Sequence, residues 1–265
     1  TAGVGDRYRF ELEAVAGDQP LIIDPTLVWG TYLGGAPAFD AVFDVTVNPD
    51  GTLLVSGGTQ AANFPTTPGV LQEGDLPGNE AFVSKLLGDA SALVFSTFVG
   101  GSGDDLGLFV ATREDGSIVA SGQTRSADHP VTVRAYDSTY NGDSDFIVLE
   151  LSSEGDALTF ATFVGGSESD QGGPLALGAD GSVVVAGRTC GVFNDFPTTP
   201  GAFQSSIPFG SGACDGVVFR LSADGSELLA STLLGGTDDE WTYLASVLPG
   251  GDILLGGNTY SIDFP

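Results

Sequence analysis

DGSVVVAGRT, residues Asp180–Thr189, sets three β-branched side chains in succession, Val183, Val184 and Val185, between an Asp-Gly pair and a further glycine. The phrase returns as DGTLLVSGGT (Asp50–Thr59), DGSIVASGQT (Asp115–Thr124) and GDILLGGNT (Gly251–Thr259). A short apolar run bounded by turn residues reads as a β-strand. When successive positions are apolar, both faces of that strand need a cover. Leu53–Val55, Val183–Val185 and Ile253–Leu255 are therefore expected in sheets covered on both sides, which a two-layer sandwich does not provide.

Outward from this phrase, two more columns keep the same register. TYLGG (Thr31–Gly35), TFVGG (Thr97–Gly101), TFVGG (Thr162–Gly166) and TLLGG (Thr232–Gly236) recur at spacings of 66, 65 and 70. EAFVSKL (Glu80–Leu86), DFIVLEL (Asp145–Leu151) and DGVVFRL (Asp215–Leu221) form the third column. Each repeat thus holds four strands, in the first one near residues 41–48, 53–58, 81–86 and 93–98. The first and second are joined by Asp-Gly turns at Asp50-Gly51, Asp115-Gly116 and Asp180-Gly181, where glycine admits positive φ. Four-stranded sheets in tandem, each covered by its neighbours, describe an all-β propeller whose first strands line a central channel. An open solenoid of sheets is the alternative.

The 265 residues include 40 Gly and 14 Pro, about a fifth of the chain, as a turn-rich and helix-poor fold requires. Thirty-five acidic residues against 8 basic ones give a formal charge of -27, which excludes a surface for nucleic-acid phosphates or anionic lipid. With 42% hydrophobic residues the chain has the material for a large core. No apolar run approaches the roughly 18 residues of a membrane span. The chain starts at Thr1 and has no Met, as expected of a mature product or of a segment of a longer chain.

FPTTPG (Phe64–Gly69), FPTTPGAFQ (Phe196–Gln204), STFVGGSGDD (Ser96–Asp105) and the entry PLIIDPTLVWGTYLGG (Pro20–Gly35) resemble the bacterial SBBP-type β-propeller repeat over about residues 20–265. The second repeat departs from the pattern, with Asp128-His129-Pro130 followed by VTVRAYD. The resemblance implies a secreted or cell-surface bacterial protein, usually long and multidomain, without general enzymatic activity. Residues 1–26, including the alternating Arg7–Glu13, lie outside the repeat as the tail of a preceding β domain or an extra strand. Residues 27–35 are expected as a fourth-type strand, 36–101, 102–166 and 167–236 as complete blades, and 237–265 as a partial one. Terminal strands closing a small ring, or a six- to eight-bladed parent, both fit this count.

The loops between second and third strands run 21, 21 and 26 residues, long enough to be a binding surface or to pack over blade edges. The longest holds Cys190 and Cys214, whose disulfide would close a loop of roughly 25 residues, contribute about 3 kcal/mol and imply an oxidising compartment. His129 reads as a solvated loop histidine, and Ser126 near it has no nucleophile-elbow context. Arg113, Arg188 and Arg220 fall in different columns and read as surface charges. An acid opens each first strand: Asp40, Asp105, Asp170 and Glu240, expected around one channel mouth as a calcium site or as caps of their own turns. Glu80, Asp145 and Asp215 open the third strands, and Asn141, Asp143 and Asp145 have the alternating spacing of a calcium loop. The function expected is a non-enzymatic structural, adhesion or ligand-binding module for an extracellular protein or glycan, within a longer parent. The alternative is a polysaccharide-active hydrolase or lyase.

Overall fold

The computed structural model describes residues 29–265 except 38, 75–76, 193–194 and 207–212. The expectations for residues 1–26 lie outside the described residues. The chain divides into two units, Thr1–Thr31 and Tyr32–Pro265, and the second carries every described strand.

Fourteen strands form four antiparallel sheets, and the described residues contain no helix. The first sheet is β1 (Asp40–Val47), β2 (Leu53–Thr59), β3 (Glu80–Leu86) and β4 (Leu93–Val99), hydrogen-bonded in chain order. The second repeats it with β5 (Asp105–Thr112), β6 (Ile118–Thr124), β7 (Asp145–Leu151) and β8 (Leu158–Val164). The third comprises β9 (Ser169–Leu177), β10 (Val183–Cys190), β11 (Cys214–Leu221) and β12 (Leu228–Leu234). The fourth has two strands, β13 (Glu240–Val247) and β14 (Ile253–Thr259). Residues 29–35, expected as a strand, contain none.

Turn chemistry sets the hairpins. In the first, Asn48 and Thr52 close the turn, Gly51 sits at φ 81°, and Asp50 Oδ1 accepts from the Thr52 amide at 2.9 Å. Asp115 and Asp180 do the same for Ser117 and Ser182. Short polar side chains thus satisfy the turn amides.

Packing follows the triple apolar runs. Leu54 and Val83 of the first sheet share a core with Ile118, Leu149 and Phe163 of the second. Val119, Phe146 and Val148 turn to the other side and meet Val183, Val217 and Phe219 of the third. The second sheet is therefore covered on both faces. The expectation fails at the last repeat, where Leu254 of β14 is 51% exposed. Its sheet has only two strands, and no described sheet stacks beyond it. Among the described residues the series of sheets is open.

The long loops serve the outer edges. Amides of Thr67, Thr132 and Thr199 donate to the carbonyls of Ser96, Ala161 and Ser231 on β4, β8 and β12. The PTTPG-like segments thereby occupy edge groups that would otherwise template further pairing. The divergent second repeat keeps the contact, and His129 occupies the place of Phe64 and Phe196. It is buried against Phe163, with ring centroids 6.3 Å apart, so the expectation of a solvated histidine is corrected. Burial pushes its pKa below the ordinary imidazole range, partly opposed by Asp105.

Candidate functional site

Two features recur where successive sheets meet: a seam of carboxylates and a groove. In the seams, the acid opening each first strand reaches back to the preceding GG turn. Gly35, Gly101, Gly166 and Gly236 donate their amides to Asp40 (2.8 Å), Asp105 (2.8 Å), Asp170 (2.6 Å) and Glu240 (3.0 Å). A hydroxyl supplies a second bond: Thr59 to Asp40, Ser126 to Asp105, Thr189 to Asp170 and Thr259 to Glu240. The column expected at one channel mouth is thus a column of turn caps. Among the described residues no group of three or more acid, histidine or cysteine side chains is arranged to hold a metal. The Asn141 amide donates instead to Asp145 Oδ2 at 2.9 Å, while the Asp143 amide donates to the Glu168 carbonyl at 3.2 Å. Ser126 donates to Asp105 and its hydroxyl has no bond to His129, so the three do not form a hydrolase triad.

The third-strand acids meet the first-strand acids of the next sheet. Glu80 faces Asp105, Asp145 faces Asp170 and Asp215 faces Glu240, all six buried. The first Gly of each GG lies between them. A Cβ on Gly165 would sit 2.6 Å from Asp145 Oδ1 and 2.8 Å from Asp170 Oδ2, and one on Gly100 would sit 2.5 Å from Asp105 and 2.9 Å from Glu80. Burial pushes Asp145 up to about 6. It pushes Asp170 up to about 7, with the Asp145 charge adding to the effect. Asp215 is pushed up to about 7, by burial first and then by Glu240. No donor reaches either oxygen of Asp215. Its neighbour Glu240 provides a hydrogen bond only when one of the two is protonated, the usual outcome for like charges confined together.

The groove lies where the first strands converge. β5 packs on β1 and β2, β9 on β5 and β6, and β13 on β9 and β10. Each first strand carries a bulge against its partner: Val42/Asp44, Leu106/Phe109, the Gly172–Leu175 stretch opposite Val185/Gly187, and Thr242/Leu244. Bulges re-aim side chains and free carbonyls. Ser56 and Ser121 donate to the bulge carbonyls of Leu108 (2.6 Å) and Gly173 (2.7 Å), tying one sheet to the next.

The re-aimed residues enclose a groove of about 480 Å³ lined by Phe43, Phe109, Trp241 and Tyr243, with Gln123, Gln171 and Arg188 as its polar groups. The Arg188 guanidinium stacks 3.4 Å from the centre of the Trp241 ring. Its Nε donates to Gln171 Oε1 at 2.8 Å, and its Nη2 donates to the same oxygen. Partial burial lowers the Arg188 pKa, and Asp239 opposes that shift. The reading of three surface arginines is therefore corrected. Arg113 pairs with Glu150 at 2.6 Å and bonds the carbonyls of Gly181 and Ala223, while Arg220 pairs with Asp180 at 2.7 Å. Arg188 alone of the three lines the groove. The sequence signal for it is a column that does not repeat: Gly58, Gln123, Arg188 and Asn258 occupy one position.

Cys190 and Cys214 are opposed across β10 and β11 and form a disulfide, with Cα atoms 4.0 Å apart. The bond holds the base of the longest loop.

No protein-family model matches the chain, and no curated protein does. Among solved structures, a protein of unknown function from Dyadobacter fermentans DSM 18053 superposes with a TM-score of 0.52 at 14% identity, over 85% of this chain and 64% of that one. The chain spans less than two thirds of that structure's length, and the likeness is one of fold alone.

Proposed function

We propose that the chain is part of a secreted or cell-surface β-propeller of the SBBP type that binds a glycan or protein and carries out no reaction of its own. The observation that carries this reading is the groove, where the bulged first strands of four successive sheets, together with β6 and β10, gather four aromatic rings, two amides and one guanidinium. Aromatic walls with a few fixed polar groups are the composition of a ligand site. The described residues lining it include no Asp, Glu, His or Cys. A glycan-active enzyme would bring two carboxylates to the scissile bond, whereas the carboxylate pairs of this chain are buried in the seams. Tandem sheets with shared cores support the propeller, in which first strands face the axis. The disulfide supports an exported protein, and further domains belong to the longer parent that this reading implies.

A glycan and protein array probed with the labelled chain, followed by chromatography of each bound glycan after long incubation, tests the proposal. Binding that falls at least tenfold in Phe109→Ala and Tyr243→Ala, without any product, is the expected result. A released product, or binding indifferent to both substitutions, would overturn it.

A further inference from the structure

Resting on the groove as the binding site, we infer that its ligand is a saccharide carrying an isolated carboxylate, a uronic acid on an otherwise neutral chain, with the carboxylate seated on Arg188. The first support is charge. In a chain with a formal charge of -27, basic side chains are scarce and are expected to be paired. Lys85, Arg113, Arg134 and Arg220 each make an ion pair. Among the described residues, two cations make none, Arg125 and Arg188. Both face the same region. Arg188 lines the groove, and Arg125 lines the adjoining recess, which shares Leu106, Gln123 and Gln171 with it. Asp104, the one acid of that recess, is engaged by the amide and side chain of Asn79 at 2.9 and 2.7 Å.

The second support is how Arg188 is held. Its Nε and one terminal nitrogen are fixed by a single neutral oxygen, that of Gln171, and one face lies on Trp241. A guanidinium has five N–H donors in a rigid fork suited to a planar carboxylate. No described carboxylate bonds to it, and Asp239, whose charge it feels, is engaged by the Cys214 amide at 2.9 Å, so the fork stands oriented and charged without an ion-paired partner among the described residues.

The third support selects the body of the ligand. Gln123 offers both a donor and an acceptor, as sugar hydroxyls do, and Gln171, whose Oε1 is taken by Arg188, adds the donors of its amide nitrogen. Phe109 and Tyr243 supply apolar ring faces, while Gly107, with open space where a side chain would start, leaves the backbone open to close approach. A polyanion would be repelled by the field of the whole chain. A ligand with one carboxylate meets that repulsion once and receives a local charge-assisted bond in return.

The test is calorimetric titration of the chain, at low ionic strength, with xylotriose carrying one glucuronic acid and with unsubstituted xylotriose. The expected result is that the acidic ligand binds at least tenfold more tightly. Arg188→Gln should reduce that ratio below threefold, Arg188→Lys should keep part of it, and Arg125→Gln, at an exposed site, should reduce it by about threefold. Unchanged melting temperatures establish that each variant is folded. Equal affinities in the parent chain, or a ratio insensitive to Arg188→Gln, would overturn the inference while leaving the groove reading intact if Tyr243→Ala still abolishes binding. Binding of a peptide with one terminal carboxylate, and of neither saccharide, would overturn the saccharide assignment. Binding of both saccharides that survives Tyr243→Ala would overturn the groove reading itself.

Discussion

Each first strand has two ends with opposite characters. Its first or second residue is an acid in all four repeats, buried or half-buried, and caps the preceding turn. A few residues on, the bulge carries Phe43 in one sheet, Gly107 in the next, Gly173 and Pro174 in the third and Tyr243 in the fourth. The repeating end builds the frame, because every junction poses the same problem of unsatisfied turn amides. The varying middle has no common structural task and faces a groove. The same division separates the Asp-Gly turns, which repeat, from the Gly58, Gln123, Arg188 and Asn258 column, which does not.

The strongest way to break this contrast is to crowd the frame. Gly165 occupies the space between Asp145 and Asp170, and any Cβ there presses on two short, buried carboxylates that cannot swing away. Gly165→Val should cost at least about 3 kcal/mol, a fall in melting temperature of roughly 6 to 12 °C for a chain of this size. Gly74→Val, at an exposed glycine with open space around it, should change the melting temperature by less than about 2 °C. Thermal unfolding of both variants decides it, and equal stabilities would refute the crowding argument.

A milder test concerns charge in the same seams. Because the folded pKa of Asp215 is raised, its protonated form stabilises the fold below pH about 4, and that contribution is lost as the pH rises through about 7. Asp215→Asn keeps the shape, removes the like charge beside Glu240 and lets an amide donate to it. The variant should melt about 2 to 6 °C above the parent at pH 8 and within about 1 °C of it at pH 4. Asp252→Asn, at an exposed site, controls for the general relief of negative charge. A gain at pH 8 shared by both variants would assign the effect to net charge instead of the pair.

The fold was legible because its instructions are local. The strands predicted for the first repeat end within one residue of β1–β4, since β-branched runs and Asp-Gly turns are decided over a few positions. The exposure of Leu254 was not, because the cover of a strand comes from a neighbouring sheet and not from its own residues. The carboxylate pairs were half legible: both columns stand out, yet Asp215 meets Glu240 across 25 positions, a distance fixed only by how sheets stack. The groove was hidden for a different reason. Its aromatic residues are aimed by bulges, whose signals were glycines inside a strand pattern at Gly107, Gly172 and Gly173. Arg188 looks like any surface arginine until Trp241 and Gln171 are brought to it from another part of the chain.

The smallest effect expected is that of calcium. As caps, the opening acids have only some of their oxygens engaged: Asp105 Oδ2 accepts from Gly101 and Ser126 while its Oδ1 accepts nothing from the described residues, and Glu240 divides its two oxygens between Gly236 and Thr259. A calcium ion on the open oxygens of Asp105 or Asp170 would still need the remaining places of a six- to eightfold shell filled from elsewhere. Among the described residues no group of three or more acid, histidine or cysteine side chains is arranged to hold a metal. Melting curves in millimolar calcium and in chelator should therefore agree within about 1 °C once ionic strength is matched with magnesium. Asp105→Asn should lower the midpoint in both by a similar amount, since an amide oxygen retains only part of the cap. A calcium-specific rise of several degrees, lost in Asp105→Asn or Asp170→Asn, would show instead that the seams take up a cation and would replace the capping role with a metal-dependent one.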